Sequence, residues 1–264
     1  MIVAVGGHDV YAYTASRAFE HTQPSVVFVH GAANDHSVWA LQSRYFAHHG
    51  FNALAVDLPG HGRSGGPALA SVEALADWLG AFVAAVDIPQ AALVGHSLGS
   101  LAALEAAARG SARVTHLALL GSAAPMPVAD ALLAAAKADD HVALEMINGW
   151  SFSAAKQLGG NRLPGVWMAG NAMRLLERAS RGILHTDLAA CNAYANGLAA
   201  ARGVRCPSLL IFGERDLMAP PRASAALAEA LPGARTVTLP SCGHSMMAEQ
   251  PDAVLDALIP FLAH

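Results

Sequence analysis

The chain has 264 residues, 54% hydrophobic and 14% charged, so material for a core is ample and intrinsic disorder is excluded. A formal net charge of -4, without a block of like charges, excludes the basic stripe of a nucleic-acid binder. The length suits a single α/β domain that carries an insertion.

In chain order, residues 2–5 and 10–14 read as short strands split by Gly6-Gly7-His8-Asp9. The continuous apolar run 26–29 reads as a strand buried on both faces. It ends at His30-Gly31, and a polar loop leads to a helix over 38–49. The next buried strand, 53–56, runs into a glycine-rich loop, Asp57-Leu58-Pro59-Gly60-His61-Gly62-Arg63-Ser64-Gly65-Gly66. Ser71 is placed to cap a helix whose Val72, Leu75, Leu79, Phe82, Val83 and Val86 share one face. Residues 91–94 form a strand, followed by Gly95-His96-Ser97-Leu98-Gly99 and a helix-forming run over 100–107. Residues 116–120 read as a further strand.

The alternation then stops. From 122 to 201 the chain offers alanine-rich helical stretches over 128–146, 166–181 and 186–201, punctuated by Gly159-Gly160 and Leu163-Pro164-Gly165. The earlier pattern resumes with a strand over 208–212, a helix over 223–231, a strand over 235–239 and a terminal helix over 252–262. Strands alternating with helices imply crossover connections, hence an α/β fold with a mostly parallel eight-stranded sheet flanked by helices. The core is residues 1–121 and 202–264, and 122–201 is a helical insertion.

Cys191, Cys206 and Cys242 form no C-x-x-C pair, and an odd count argues against a disulfide framework, so a cytoplasmic location is expected. The N-terminal residues lack the basic region of a secretory signal, and no membrane-length apolar segment is present. There is no H-E-x-x-H, no Walker loop, and no dinucleotide spacing among the glycines of 60–66. The 13 histidines are scattered, and neither a metal nor a cofactor is expected.

A strand, Gly-x-Ser-x-Gly and a helix are the context that a nucleophile elbow requires. The sharp turn lifts the Ser97 hydroxyl clear of the sheet, and the N–H of Leu98 opens the following helix, where it can face a developing oxyanion. The rival reading is a plain Gly/Ser turn. A serine nucleophile needs a base, and the base needs an orienting acid. Asp216 stands just past the strand at 208–212 and His244 just past the strand at 235–239. Functional groups of open parallel sheets collect beyond the carboxyl ends of the strands, and the order Ser, Asp, His suits this arrangement. Glu214, two positions from Asp216, is the rival acid. His96 reads as a packing residue beside the nucleophile or part of a pocket, His30 as a loop hydrogen-bonder, and His61 as structural or pocket-facing. Asp57 and Arg63 read as fixing the glycine-rich loop. Trp150, Trp167, Met168, Tyr194, Met246 and Met247 are either the wall of an apolar pocket or plain core.

These segments together resemble α/β-hydrolase-fold enzymes, specifically the small carboxylesterase and lipase-like group. The resemblance covers 26–120 and 208–261 and rests on His30-Gly31 with Trp39, the loop 57–64, the elbow, Gly213-Glu214-Arg215-Asp216, and Gly243-His244 through Pro251. It implies Ser97 as nucleophile, His244 as base, Asp216 as orienting acid, and the backbone N–H groups of Ala32 and Leu98 as the oxyanion hole. It implies that 122–201 is a helical lid, although that segment carries little that can be matched. The implied activity is cofactor-free cleavage of a carboxylic ester through an acyl-enzyme. Serine at 97 argues against the dehalogenase and epoxide-hydrolase branches, which use aspartate. A C–C bond hydrolase, a lactonase, a perhydrolase and a lyase stay open on the same fold, as does a small-molecule receptor that keeps the triad. The expected partner is a small-molecule ester, with no nucleic acid and no membrane span, and a homo-oligomer is compatible with the sequence.

Overall fold

Runs of valine, leucine and alanine bounded by turn residues make the strands of one sheet, in a computed structural model that describes residues 1–110, 113–160 and 165–263. The strands are β1 (Ile2–Val5), β2 (His8–Tyr13), β3 (Ser25–Val29), β4 (Asn52–Val56), β5 (Ala91–His96), β6 (Val114–Leu120), β7 (Ser208–Gly213) and β8 (Arg235–Leu239). Their order is β1-β2-β4-β3-β5-β6-β7-β8. The first two pairings, β1 with β2 and β2 with β4, are antiparallel. From β4 to β8 the pairing is parallel throughout. β5, which delivers Ser97, lies in the middle of the sheet and is buried along its whole length.

A 3-10 turn (His36–Trp39) leads into α1 (Ala40–His48), followed by α2 (Val72–Ala85) and α3 (Leu98–Arg109). The insertion holds α4 (Asp130–Lys137), α5 (His141–Ser151), α6 (Ala154–Gln157), α7 (Met168–Leu176), α8 (Ile183–Ala193) and the start of α9 (Gly197–Gly203). The chain closes with α10 (Pro221–Ala230), α11 (Met246–Glu249) and α12 (Pro251–Leu262). No helix among the described residues is long and apolar enough to cross a membrane.

Alternation along each parallel strand splits the core into two layers. Val27, Leu54, Leu93, Leu119 and Leu210 point into one, against α2 and α3. Val26, Phe28, Ala55, Val94, Leu120 and Ile211 point into the other, against α1 and α12. A third cluster belongs to the insertion and joins Leu132, Ala143, Ile147, Leu176, Ile183 and Leu188, with Ala33 of the core packed into it.

The insertion differs from the expected helices in its breaks. The expected helix over 128–146 is two, α4 and α5, because Asp139 takes φ 57 and the Asp140 carboxylate accepts from Val142 N–H as an N-cap. Aspartate competes for backbone donors and favours caps over helix interiors, which outweighs the surrounding alanines. The stretch 186–201 is likewise split, with Tyr194 and Asn196 at the break donating to the Glu105 carboxylate on α3. α9 packs Ala200 and Ala201 into the first core layer rather than into the cluster of the insertion. The stretch 166–181 is helical only over Met168–Leu176. α6 and α11, single turns, were not expected. Leu163-Pro164 of the expected turn lies outside the described residues.

Candidate active site

Ser97 follows β5 directly and has φ 53 and ψ -122, a conformation that a non-glycine residue holds only under constraint. The constraint is close packing on both sides. A Cβ on Gly95 would stand 2.3 Å from the Gly99 carbonyl, and a Cβ on Gly99 would stand 2.4 Å from the carbonyls of Val29 and His30. Only glycine lets β3, β5 and α3 approach so closely. The Ser97 N–H donates to the Leu120 carbonyl at 3.0 Å, which ties the turn to β6. Leu98 is the first residue of α3, so its N–H has no intrahelical acceptor.

Asp216 and His244 meet beyond the ends of β7 and β8. His244 Nδ1 donates to Asp216 Oδ2 at 2.7 Å, and Asp216 Oδ1 accepts from Met218 and Ala219 N–H at 2.8 Å each. Burial alone raises the pKa of this carboxyl, but His244 and the backbone donors outweigh it and hold the pKa below the usual value. The other ring nitrogen, His244 Nε2, is buried without a hydrogen-bond partner, and His244 and Ser97 line the same cavity. Glu214, the rival acid, turns away and accepts from Ser241 N–H.

The cavity measures about 300 Å³. Besides Ser97 and His244 its wall is apolar, with Met126, Leu132, Trp150, Leu188, Leu217 and Met218 prominent, and Ala32 forms part of it beside Ser97. Cys191 also faces it, with burial pushing the thiol pKa well up. Of the pocket residues named from sequence, only Trp150 reaches this wall. Trp167 is 68% exposed, its ring lying over Gly170 at the start of α7. Met168 is buried and is not among the residues that line the cavity. Met246 and Met247 lie in the second core layer and Tyr194 in the first.

His96 does not line the cavity either. Its Nε2 donates to the His244 carbonyl at 2.9 Å, so it steadies the histidine loop. Burial, with the neighbouring His244, lowers its pKa to about 3 and keeps it neutral. His30 Nδ1 donates to the Gly31 carbonyl, its Nε2 accepts from Leu58 N–H, and burial lowers its pKa to about 4. The Asp57 carboxylate accepts from His36 N–H, His36 Nδ1 and Arg63 N–H, while the Arg63 guanidinium lies 4.0 Å over the Tyr11 ring. Asp35, His36 and Asp57 form the one group among the described residues with the proximity of a metal site. Asp57 spends its oxygens on those three donors, which fix the glycine-rich loop.

Two contributors escaped the sequence reading. Gly121, after β6, has φ 56, and a Cβ there would stand 2.9 Å from the His244 ring and 3.4 Å from Asp216 Oδ2. Glu249 is buried and accepts from Gly243 N–H, Ser153 N–H and Ser153 Oγ, joining the histidine loop to the insertion. Ser245 N–H adds a bond to the Ser151 carbonyl. The available signal was a lone carboxylate in an otherwise apolar turn.

The sequence matches the alpha/beta hydrolase family over residues 26–257. It is 32% identical over 249 residues to a pimeloyl-(acyl-carrier protein) methyl ester esterase of Chromobacterium violaceum, covering 91% of this chain and 89% of that protein. The structure is similar to the enol-lactonase of Burkholderia xenovorans LB400, with a TM-score of 0.88, 25% identity and 100% of both chains covered. It shares its fold with an esterase of Exiguobacterium antarcticum, at a TM-score of 0.86 and 19% identity over 100% and 99% of the two chains. The eight-stranded sheet, the elbow at the end of its middle strand and a match running almost from end to end place the chain in the alpha/beta hydrolase family.

Proposed function

We propose that this protein is a cofactor-free serine hydrolase of carboxylic esters. The observation that carries this reading is His244, whose Nδ1 is held by Asp216 while its buried Nε2 stays unpartnered on the wall of the cavity that holds Ser97. Ser97 Oγ attacks the ester carbonyl carbon and passes its proton to His244 Nε2. Asp216 holds the ring in the tautomer that leaves Nε2 free and stabilises the imidazolium that forms. The N–H groups of Leu98 and Ala32 receive the oxyanion, each worth about 3 kcal/mol to the transition state. His244 then returns the proton to the departing alcohol, leaving an acyl group on Ser97. Water, deprotonated by the same Nε2, attacks the acyl carbon, and the bond to Ser97 Oγ breaks as His244 returns the proton to Oγ and the acid leaves.

The cavity sits at the lower end of the roughly 300–1,000 Å³ typical of small-molecule sites. Its wall offers no fixed charge, which suits an uncharged ester with a short apolar acyl or alcohol group. Segment 122–201 acts as the lid, since Met126, Leu132, Trp150 and Leu188 supply much of that wall. Similarity to a methyl ester esterase supports the ester reading. Similarity to an enol-lactonase supports a second one, opening of a cyclic ester by the same residues. The three free cysteines suit a reducing cytoplasm.

The test is a series of p-nitrophenyl esters from acetate to decanoate, a simple enol-lactone, and labelling with an organophosphonate. Expected are turnover greatest for short chains, stoichiometric labelling of Ser97, and no labelling of Ser97→Ala. A protein that binds esters tightly, resists the phosphonate and turns over no faster than Ser97→Ala is a receptor rather than an enzyme.

A further inference from the structure

Asp187 and His61 lie outside the triad and are buried together, 1% and 3% exposed. Asp187 is on α8 of the insertion, and His61 is in the glycine-rich loop after β4. His61 Nε2 donates to Asp187 Oδ2 at 2.8 Å, and His61 Nδ1 donates to the Pro59 carbonyl at 3.0 Å. Both ring nitrogens therefore face acceptors, as an imidazolium opposite a carboxylate requires. Burial opposes that charge, but the bonds to Asp187 and Pro59 outweigh it and raise the His61 pKa.

The same Asp187 oxygen has a second donor. Ala33 N–H reaches it at 2.8 Å from a residue 154 positions earlier in the chain. Ala33 follows Ala32, the oxyanion donor of the proposed mechanism. It has φ 51, in the left-handed region where alanine is strained, so something must hold it. Its amide is held by Asp187, and its methyl group packs into the apolar cluster of the insertion, with Ile147, Leu184 and Leu188. A buried ion pair adds little to stability by comparison with apolar side chains of the same size. What this pair supplies is direction, because it fixes the peptide next to the oxyanion donor.

We infer that Asp187, held by His61, is a positioning residue that sets the Ala32 N–H of the oxyanion hole from the insertion. The inference rests on the esterase reading, because it needs Ala32 as a donor to the reacting oxygen. Neither side chain touches substrate. The lid thereby takes part in the rate as well as in the choice of ester.

The test uses the full chain with p-nitrophenyl butyrate and an arylboronic acid, whose tetrahedral adduct on Ser97 places an oxygen in the oxyanion hole. Asp187→Ala is expected to lower kcat by about 10- to 100-fold with KM within about twofold, below the loss for deleting an oxyanion donor. Boronate affinity should fall by the same factor, while affinity for the flat butyramide is unchanged. Asp187→Asn, which still offers an oxygen to Ala33 N–H, should keep most of kcat. If Asp187→Ala does not fold, the double variant His61→Leu/Asp187→Leu replaces the pair with apolar side chains. It should fold with a thermal midpoint near wild type and stay as slow as expected for Asp187→Ala. A folded double variant with wild-type kcat and boronate affinity overturns the inference, and so does Asp187→Asn as slow as Asp187→Ala. A wild-type protein that cleaves no ester and takes up no boronate overturns the esterase reading and this inference with it.

Discussion

Two carboxylates stand at the end of β7, and only Asp216 reaches the ring of His244. Asp216→Asn should lower kcat by about 10,000-fold while the protein stays folded, because an amide at that position favours the wrong tautomer. Glu214→Gln should stay near wild type, and the reverse pattern in steady-state kinetics would move the acid to Glu214. Gly121→Ala tests the space around the ring. Its methyl group would press on His244 from 2.9 Å, and φ 56 is unfavourable for alanine. We expect kcat on p-nitrophenyl butyrate to fall at least about tenfold, in line with the sensitivity of catalysis to misplacements near 1 Å. The positions of Ser97, Asp216 and His244 were legible in the sequence because each follows a short apolar run and sits beside glycine or a turn. The pocket wall was not. Met, Trp and Tyr at helical spacing say that a face is buried, not what it is buried against, so Trp150 and Met246 read alike although one faces the cavity and the other the core.

Among the elements, the sheet was legible almost strand for strand, since runs such as 26–29 and 91–94 have no polar position to spare for solvent. The insertion was not, because alanine favours helix everywhere and marks no boundary. The breaks are set instead by Asp139 and Asp140 and by bonds from Tyr194 and Asn196 to Glu105, and the last of these are contacts distant in sequence. Glu249 is the clearest case of such a contact, joining α11 to Ser153 across 96 positions. Glu249→Leu would leave the N–H groups of Ser153 and Gly243 buried without an acceptor, at about 1–3 kcal/mol each. We expect a lower thermal midpoint together with a lower kcat, and a smaller loss for Glu249→Gln, which keeps one accepting oxygen. An unchanged kcat in Glu249→Leu would mean that the staple serves stability alone.

For the whole molecule, the buried histidines set a dependence on pH. His30 and His96 stay neutral when folded, with pKa values lowered to about 4 and about 3, chiefly by burial. In the unfolded chain a histidine titrates near ~6.5. Below that pH the unfolded chain binds two protons that the folded chain does not. Their contribution to stability is complete above about pH 6.5 and falls by about 1.4 kcal/mol per pH unit for each group toward the folded values. Asp216, with its lowered pKa, adds a loss of the same sign once pH drops below the ordinary carboxylate range. His61 works in the opposite direction. Its pKa is raised, so its contribution is present below about pH 6.5 and is lost as pH rises through the folded value. Denaturant midpoints should fall steadily from pH 6.5 to pH 4.5, and a flat profile there would contradict neutral His30 and His96.

The bonds that join Glu249 and Ser245 to Ser153 and Ser151 bear on how freely this architecture can be rearranged. A helical segment that supplies much of the cavity wall invites exchange, as an interchangeable module that would redirect selectivity while the proposed chemistry stays put. Here part of the frame around His244, the proposed general base, is written in the exchanged piece. A chimera that replaces all of 122–201 would replace the carbonyl that Ser245 leans on and the serine that Glu249 grips. A graft confined to 126–147 would change the cavity wall at Met126 and Leu132 and leave those anchors in place. Recombination between relatives should therefore tolerate crossovers before Ser151 far better than crossovers that discard it.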